Sequence, residues 1–438
     1  MGLVKTVDKL TVTFLVDNSI EWFTKLPPGF THEMRLHLSE HDPPIDEVTG
    51  APLLDFENYC CGNVSPILRT LCLIEVSWVE DRKEIFTART TLLTYLGFFI
   101  SFCVLPSPSA IAYLLVVGAH GFSALIETEV EGEESHVVLF DTGPESRSIA
   151  RNVAAMKVPL DRIERVILSH WHSDHSGGLL SFLRLRNEAI HHQDKSESNP
   201  PQQQQPDSDT TPTKPIIADL HPDRPIARGI APLGKLIGQL NPDPTFEAIE
   251  ALGAVVETHK EGHAVAGDTV YVSGEIPRIT HFEQGLLGAV RWKGDVKTKQ
   301  GEWVPEEDIM DERYAVIDVA GKGLVIFSAC SHAGIVNVVR DVVSKFQRPI
   351  HMIIGGLHLA TPDLIERIEP TVDFLTNKLR PAPTYILPMH CSGFACKIAL
   401  ERALGEGCVP AGTGIRAIID GNRKLEEEGR MWAPTIAS

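Results

Sequence analysis

Apolar and polar positions alternate along Leu10–Asn18 (LTVTFLVDN), which predicts a strand. A polar, Pro/Gly-rich stretch follows, through Pro27–Pro28 and Pro43–Pro44 to Cys60–Cys61–Gly62. Phe122–Thr128 and His136–Asp141 then predict two more strands, the second closed by Thr142–Gly143. From Arg165 onward the pattern becomes strand then helix. Arg165–Ser169 precedes a helix from about Gly177, and Leu324–Ser328 precedes one over Gly334–Phe346. Ile350–Gly355 leads into a helix from about Pro362, and Thr384–Pro388 into one over Phe394–Leu404. A last strand over Ile415–Ile419 and a polar tail complete an α/β pattern.

Two stretches break the rhythm. Between about residues 63 and 118 the chain turns apolar, with no Asp, Glu, Lys or Arg from Thr91 to Ile126. Its longest apolar run, TLLTYLGFFISFCVL, is about 15 residues before Pro106, short of the ~20 a bilayer needs. A buried or irregular insert is therefore favoured over a membrane span. A third reading is a translated intron, because joining Gly62 to Ala119 gives a continuous loop-to-strand sequence. The second stretch, about 187–214, holds SNPPQQQQPDSDTTPTK and has nothing apolar to bury, so a disordered surface loop is expected. His191 and His192, at its start, are expected to be solvated.

Composition narrows the function classes. Forty basic residues stand against 58 acidic ones in 438, a net charge of −18, with no Lys/Arg cluster to form a basic face. Nucleic acid is excluded as a first expectation, and a membrane partner is disfavoured. The eight cysteines form no CxxC pair, and no apolar leader opens the chain, so a reducing, cytoplasmic setting is expected. A small-molecule substrate is the expected partner; oligomeric state is not legible.

The 18 histidines are the unusual feature. Four strand-to-helix junctions each carry one: VILSH (His170), VIFSACSH (His332), MIIGGLH (His358) and YILPMH (His390). A lone histidine at a strand end is usually a hydrogen-bonded structural residue. Four, at the sheet edge where α/β folds bind ligands, are hard to attribute to packing. The first junction reads His170-Trp171-His172-Ser173-Asp174-His175. Three imidazoles and a carboxylate within six residues make a poor core and a good pocket for a borderline divalent metal. Alternation directs His170 and His172 at one ion, while the following turn carries Asp174 and His175 toward a second. Ser176–Gly177–Gly178 then allows a tight turn into the next helix.

The HxHxDH motif resembles the metallo-β-lactamase superfamily. The chain is similar in particular to the branch named for dihydropterin-ribofuranosyl-aminobenzene phosphate synthase. The matches are LVDN (Leu15–Asn18), AHGFSALIE (Ala119–Glu127), SHWHSDHSGGL (Ser169–Leu179), LHP (Leu220–Pro222), SGEIPR (Ser273–Arg278), CSHAGIVN (Cys330–Asn337), GGLHL (Gly355–Leu359) and MHCSG (Met389–Gly393). The resemblance implies one αββα sandwich domain over 1–422, interrupted by the two insertions, and a tail over 423–438. It implies His170, His172, Asp174, His175, His332 and His390 as metal ligands, with Asp141 in LFDTG supporting them. Many superfamily members carry a bridging Asp after the strand that here ends in CSH, where this chain offers His332. His358 is read as a substrate-facing catalytic donor or a seventh ligand, and His221 as a fainter candidate. His281 is read as a surface loop residue.

The implied cofactor is one or two divalent ions, zinc first, with manganese or iron(II) as alternatives. Two ions would activate water, with Asp174 orienting it, against a small phosphoester, lactone or thioester. Glu275 and Arg278 are the best non-metal polar pair for holding a substrate anion. The competing readings are a pterin-type transferase and a non-catalytic metal-binding protein of the same fold. Cys330 and Cys391 are expected to be buried thiols, Cys391 because a neighbour of His390 in extended chain faces away from it.

Overall fold

The computed structural model describes residues 3–19, 27–32, 118–144, 146–196, 215–231, 234–295, 300–429 and 431–437. Residues 63–117 of the apolar stretch and residues 197–214 of the second interruption lie outside the described residues.

Two sheets lie face to face. The first has spatial order β2 (Phe30–His32), β19 (Ile415–Asp420), β1 (Lys9–Val16), β3 (Ser123–Glu129), β4 (His136–Phe140), β5 (Ile163–Ile167), β6 (Ile217–Leu220) and β9 (Val255–Thr258). The second runs β10 (His263–Val265), β11 (Val270–Val272), β14 (Ala315–Val319), β15 (Gly323–Ser328), β16 (Ile350–Gly356) and β18 (Tyr385–Met389). The central core is made by the inward-facing positions of both. Phe14, Phe122, Phe140 and Phe327 form an aromatic chain across it, with successive centroids 6.5, 6.3 and 6.0 Å apart. That packing follows from period-two burial on both faces of the interlayer.

Helices cover the outer faces. α1 (Ser146–Ala155) and α2 (Leu179–Ser196) pack on the first sheet through Ile149, Val153, Leu179 and Phe182. α3 (Ile335–Phe346) and α4 (Phe394–Leu404) pack on the second through Val336, Val339, Cys396 and Leu400. The layers are thus αββα, the expected sandwich. A smaller antiparallel sheet, formed by β7 (Arg228–Ile230), β8 (Gly238–Gln239), β12 (Ala289–Asp295) and β13 (Gln300–Pro305), stands over one edge.

The second interruption begins later than its composition suggests. α2 continues to Ser196, buries Ile190 and bonds Asn187 Nδ2 to the Leu252 carbonyl at 2.8 Å. Leu179, Phe182, Leu183 and Ile190 fall on one helical stripe, and that stripe outweighs the polar residues between them. Gly177 and Gly178 also serve differently from expectation. Neither has a positive φ; a methyl at Gly177 would overlap the Pro144 carbonyl, and at Gly178 the Thr142 carbonyl. They permit close approach of two loops rather than a turn.

β4, β5, β6 and β9 run parallel, as do β15, β16 and β18, so their carboxyl ends share one edge of the sandwich. Among the described residues no helix is long and apolar enough to cross a membrane.

Candidate metal centre

The shared edge collects the histidine-bearing ends of β5, β15, β16 and β18. Asp141, Ser331, His358 and His390 there all have left-handed backbones, with φ of 59, 59, 49 and 43°. Each such residue costs on the order of 1–3 kcal/mol, and such strain concentrates at functional sites. Local pleat gives way to sharp turns that aim side chains inward.

His170 Nε2, His172 Nδ1 and His332 Nε2 converge. The separations are 3.0 Å for His170–His172, 3.2 Å for His332–His170 and 3.2 Å for His332–His172. Hydrogen bonding fixes the His170 tautomer. Ser169 Oγ donates to Asp141 Oδ2 at 2.7 Å, so it accepts from His170 Nδ1 at 2.9 Å, leaving Nε2 as a bare lone pair. Burial, with the neighbouring imidazoles, holds His170 and His332 well below the usual histidine range. Burial and then Arg228 bring His172 down to about 3. Three neutral imidazoles facing one point cannot satisfy one another by hydrogen bonds alone. A tetrahedral ion with about 2.0 Å metal–nitrogen bonds would set the nitrogens roughly 3.3 Å apart, close to what is found. These residues fit a divalent cation.

A second group adjoins the first. Asp174 Oδ2 lies 3.3 Å from His390 Nε2 and 3.6 Å from His175 Nε2. His175 Nδ1 donates to Asp141 Oδ2 at 2.7 Å, freeing Nε2. Burial opposes protonation of His175, but the Asp174 and Asp141 carboxylates outweigh it and raise the imidazole to about 9. His390 Nδ1 donates to Asn18 Oδ1 at 3.1 Å, and its buried Nε2 has no hydrogen-bond partner. The Asn18 orientation is fixed independently, since its Nδ2 donates to the His390 carbonyl at 3.1 Å. Asp17 Oδ1 accepts from the His390 amide at 2.6 Å.

Cys330 and Cys391 are buried free thiols, as expected, but both stand within the site, and the orientation expected of Cys391 needs correction. Cys330 Sγ lies 3.2 Å from His175 Nε2 and belongs by distance to the Asp174/His175/His390 group and to the His170/His332 group. Sulfur, not residue 332, stands between the two clusters. Cys391 does not face away: its Sγ is 3.6 Å from Cys330 Sγ. His390 has φ 43° and opens a 3-10 turn over His390–Ser392, so the alternation of extended chain does not apply there.

The supports come from distant sequence. Glu312 accepts from the amides of His332 and Ala333, each at 2.7 Å, and holds the CSH turn. Asp311 Oδ2 accepts from the Trp171 amide at 2.7 Å, and its Oδ1 pairs with Arg228. Trp171 is fully buried and donates its indole N–H to the His221 carbonyl at 2.9 Å. Nothing in the sequence pattern marks Asp311 or Glu312. Asp17 and Asn18 stand in the LVDN motif, whose residues alone assign them no role.

The remaining sequence candidates separate. His358 stands beside the cluster, its ring centroid 4.5 Å from that of His332, with both ring nitrogens unpartnered among the described residues. His221 is buried, accepts from the Asp223 amide at 3.2 Å, and does not line the cavity over the cluster. Arg278 bonds the Ile276 and Ile309 carbonyls, each at 3.2 Å, and Glu275 is exposed; neither lines that cavity. The expected substrate-binding pair, carried between β11 and β12, is thus not among the residues that line the cavity. His281 is exposed.

The cavity is about 1100 Å³. Its floor holds His172, Asp174, Cys330, His332, His358, His390 and Cys391. Its walls are Ile230, Leu240, Leu286, Leu287 and Val290 on the side of the small sheet, and Thr361, Leu364, Phe394 and Lys397 opposite. His120 sits at the rim, its Nε2 3.4 Å from Asp174 Oδ2.

Comparison with known proteins agrees with this architecture. Residues 119–297 match the metallo-β-lactamase superfamily. That match spans 179 of the 438 residues. Over 280 residues it is 29% identical to the 7,8-dihydropterin-6-methyl-4-(β-D-ribofuranosyl)-aminobenzene-5′-phosphate synthase of Methanocaldococcus jannaschii, covering 63% of this chain and 81% of that one. It is 27% identical over 295 residues to an uncharacterized protein of the same organism, covering 66% of this chain and 91% of that one. A crystal structure described as a metal-dependent hydrolase of the β-lactamase superfamily is 19% identical, with a TM-score of 0.49, covering 70% of this chain and 94% of that one.

Proposed function

We propose that the chain is a metal-dependent hydrolase that acts on a small phosphoester, lactone or thioester through a dinuclear-type centre. The observation that carries this reading is the convergence of His170, His172 and His332 ring nitrogens within 3.2 Å, beside Asp174, His175 and His390, under an open cavity that His172, Asp174, His332 and His390 line. His170, His172 and His332, with Asp174, His175 and His390, would hold divalent ions, zinc in the first place, which would supply a water of lowered pKa and polarisation of the electrophile.

The chain's own residues do the rest. Asp141, Ser169 and Asn18 fix three imidazole tautomers with lone pairs inward. Asp174 presents its carboxylate at the cavity floor and is suited to orient the attacking water. Arg228 lines the cavity but is clamped by Asp311 and Glu306, which leaves Lys397 as the other cationic side chain along it. His358 lines the same space, with its ring nitrogens buried on the side of His332 and Cys391.

The synthase relative keeps a second reading in view, transfer of a pterin-methyl unit. A diphosphate leaving group would call for several mobile cations, and the cavity walls are mainly apolar, so hydrolysis is the better-supported reading. Elemental analysis with a phosphoester, lactone and thioester screen tests it, using pterin diphosphate with an aminobenzene acceptor as the transferase arm. His170→Ala and His172→Ala should each lose about one ion per chain and nearly all turnover. Full metal and full turnover in both variants would refute the metal centre. Turnover confined to the pterin arm would replace hydrolase by transferase.

A further inference from the structure

Beyond the two groups that account for the proposed activity, a third set of donors stands at the same edge. Cys330 Sγ, Cys391 Sγ and a His358 ring nitrogen all lie within 4.8 Å of one another. The two sulfurs are 3.6 Å apart. A tetrahedral ion with about 2.3 Å metal–sulfur bonds would hold two sulfurs roughly 3.75 Å apart, so the pair is already near ligating distance.

His358 supplies the independent sign of a missing occupant. Both of its ring nitrogens are buried without a hydrogen-bond partner, and buried polar atoms in native proteins are nearly always satisfied. Its backbone is held at φ 49°, which turns the ring back toward Cys391 and His332 instead of outward. Gly356 leaves room for the arrangement, since a methyl there would meet Cys391 Sγ at 2.5 Å. By contrast, Cys396 is buried in the core on α4 and, among the described residues, belongs to no such group of donors.

We infer that Cys330, His358 and Cys391 form a thiolate-rich cation site that shares the Cys330 sulfur with the histidine centre. Two sulfurs and one imidazole select thiophilic ions such as zinc, cadmium or copper(I), and reject oxygen-preferring ions such as magnesium or manganese. Binding a divalent ion displaces one proton from each thiol to solvent, forming two metal–sulfur bonds. The centre would then hold its ions at a graded series of donors, from the imidazoles of His170, His172 and His332 to the sulfurs.

The test uses the full chain stripped of metal by a chelator and titrated with cadmium, reading the ultraviolet thiolate-to-cadmium charge-transfer absorbance. Cys391→Ser and Cys330→Ser should each remove one thiolate's share of that absorbance, while Cys408→Ser should leave it unchanged. His358→Asn, which tolerates the left-handed backbone, should weaken cadmium binding tenfold or more and keep the absorbance at saturation. Bound cadmium should also protect Cys391 from alkylation in the unmutated chain, read by peptide mass. That measurement stands even if a cysteine variant does not fold. Undiminished absorbance in Cys391→Ser, or equal alkylation with and without cadmium, overturns the site. The histidine centre fails separately, if His170→Ala and His172→Ala retain all their zinc.

Discussion

Asp141→Asn tests whether the buried carboxylate sets the chemistry of the centre or merely fills space. Asn adopts positive φ more readily than other residues, so the backbone at 59° should survive the exchange. Asp141 accepts three bonds of 2.7 Å each, from the Ser169 amide, the Ser169 hydroxyl and His175 Nδ1. Asparagine keeps one acceptor, which can retain the Ser169 amide. Its NH2 group then faces a hydroxyl and an imidazole N–H, two donors where an acceptor stood. Hydrogen bonds to a charged group contribute roughly 1.5–3 kcal/mol, and here two of them are lost. His175 must flip its tautomer or rotate, and Ser169 no longer fixes His170 Nδ1. Both groups of ligands are affected at once. Zinc affinity should fall about 10- to 100-fold, or about 1.4–2.8 kcal/mol. Competition with a chromophoric chelator on the full chain measures it, with circular dichroism confirming that the fold is kept. Zinc affinity within twofold of the unmutated chain would show that Asp141 does not orient the ligands.

Further outcomes follow from other contacts. His332→Gln should remove about one ion per chain, and His332→Asp should not restore it, because the Cys330 sulfur and not residue 332 lies between the clusters; elemental analysis decides. Burial raises Glu283 to about 7 from its usual 4.5, although it accepts from the Val336 and Asn337 amides at 2.8 Å each. An acid whose folded value is raised contributes fully below about 4.5 and loses that contribution as pH rises through about 7, by up to about 3 kcal/mol. Denaturant unfolding of Glu283→Gln in chelator should therefore lack this decline, and an identical pH slope in both chains would refute the assignment. Removing residues 197–214 should shift Tm by no more than a few degrees. Extending the deletion back to Asn187 should cost more, since burying Ile190 contributes roughly 1.5–3 kcal/mol; equal Tm values for both deletions would contradict the packing of α2.

The strand-to-helix rhythm, and with it the αββα layering, is legible in the chain because periodicity is a local property. Predicted Phe394–Leu404 coincides with the helix that forms, and most predicted strands fall within two residues of the observed ones. The convergence of His170 and His172 is local too, but it comes from a tight bend past the end of β5, where the His172 amide donates to the His170 carbonyl at 3.1 Å, and not from strand alternation. What tertiary structure alone decided lies at long sequence separation. Asn18 and His390 meet across 372 positions, and His175 and Cys330 across 155. No local pattern records such pairings. The reading of Cys391 failed for a definite reason: His390 leaves the extended region, so its neighbour turns inward instead of out. That Arg278 and Glu275 stay out of the cavity lining has another reason. Their residue types suit an anion, but which surface they reach is set by the connection around the sheet edge, and that path exists only once both sheets have packed.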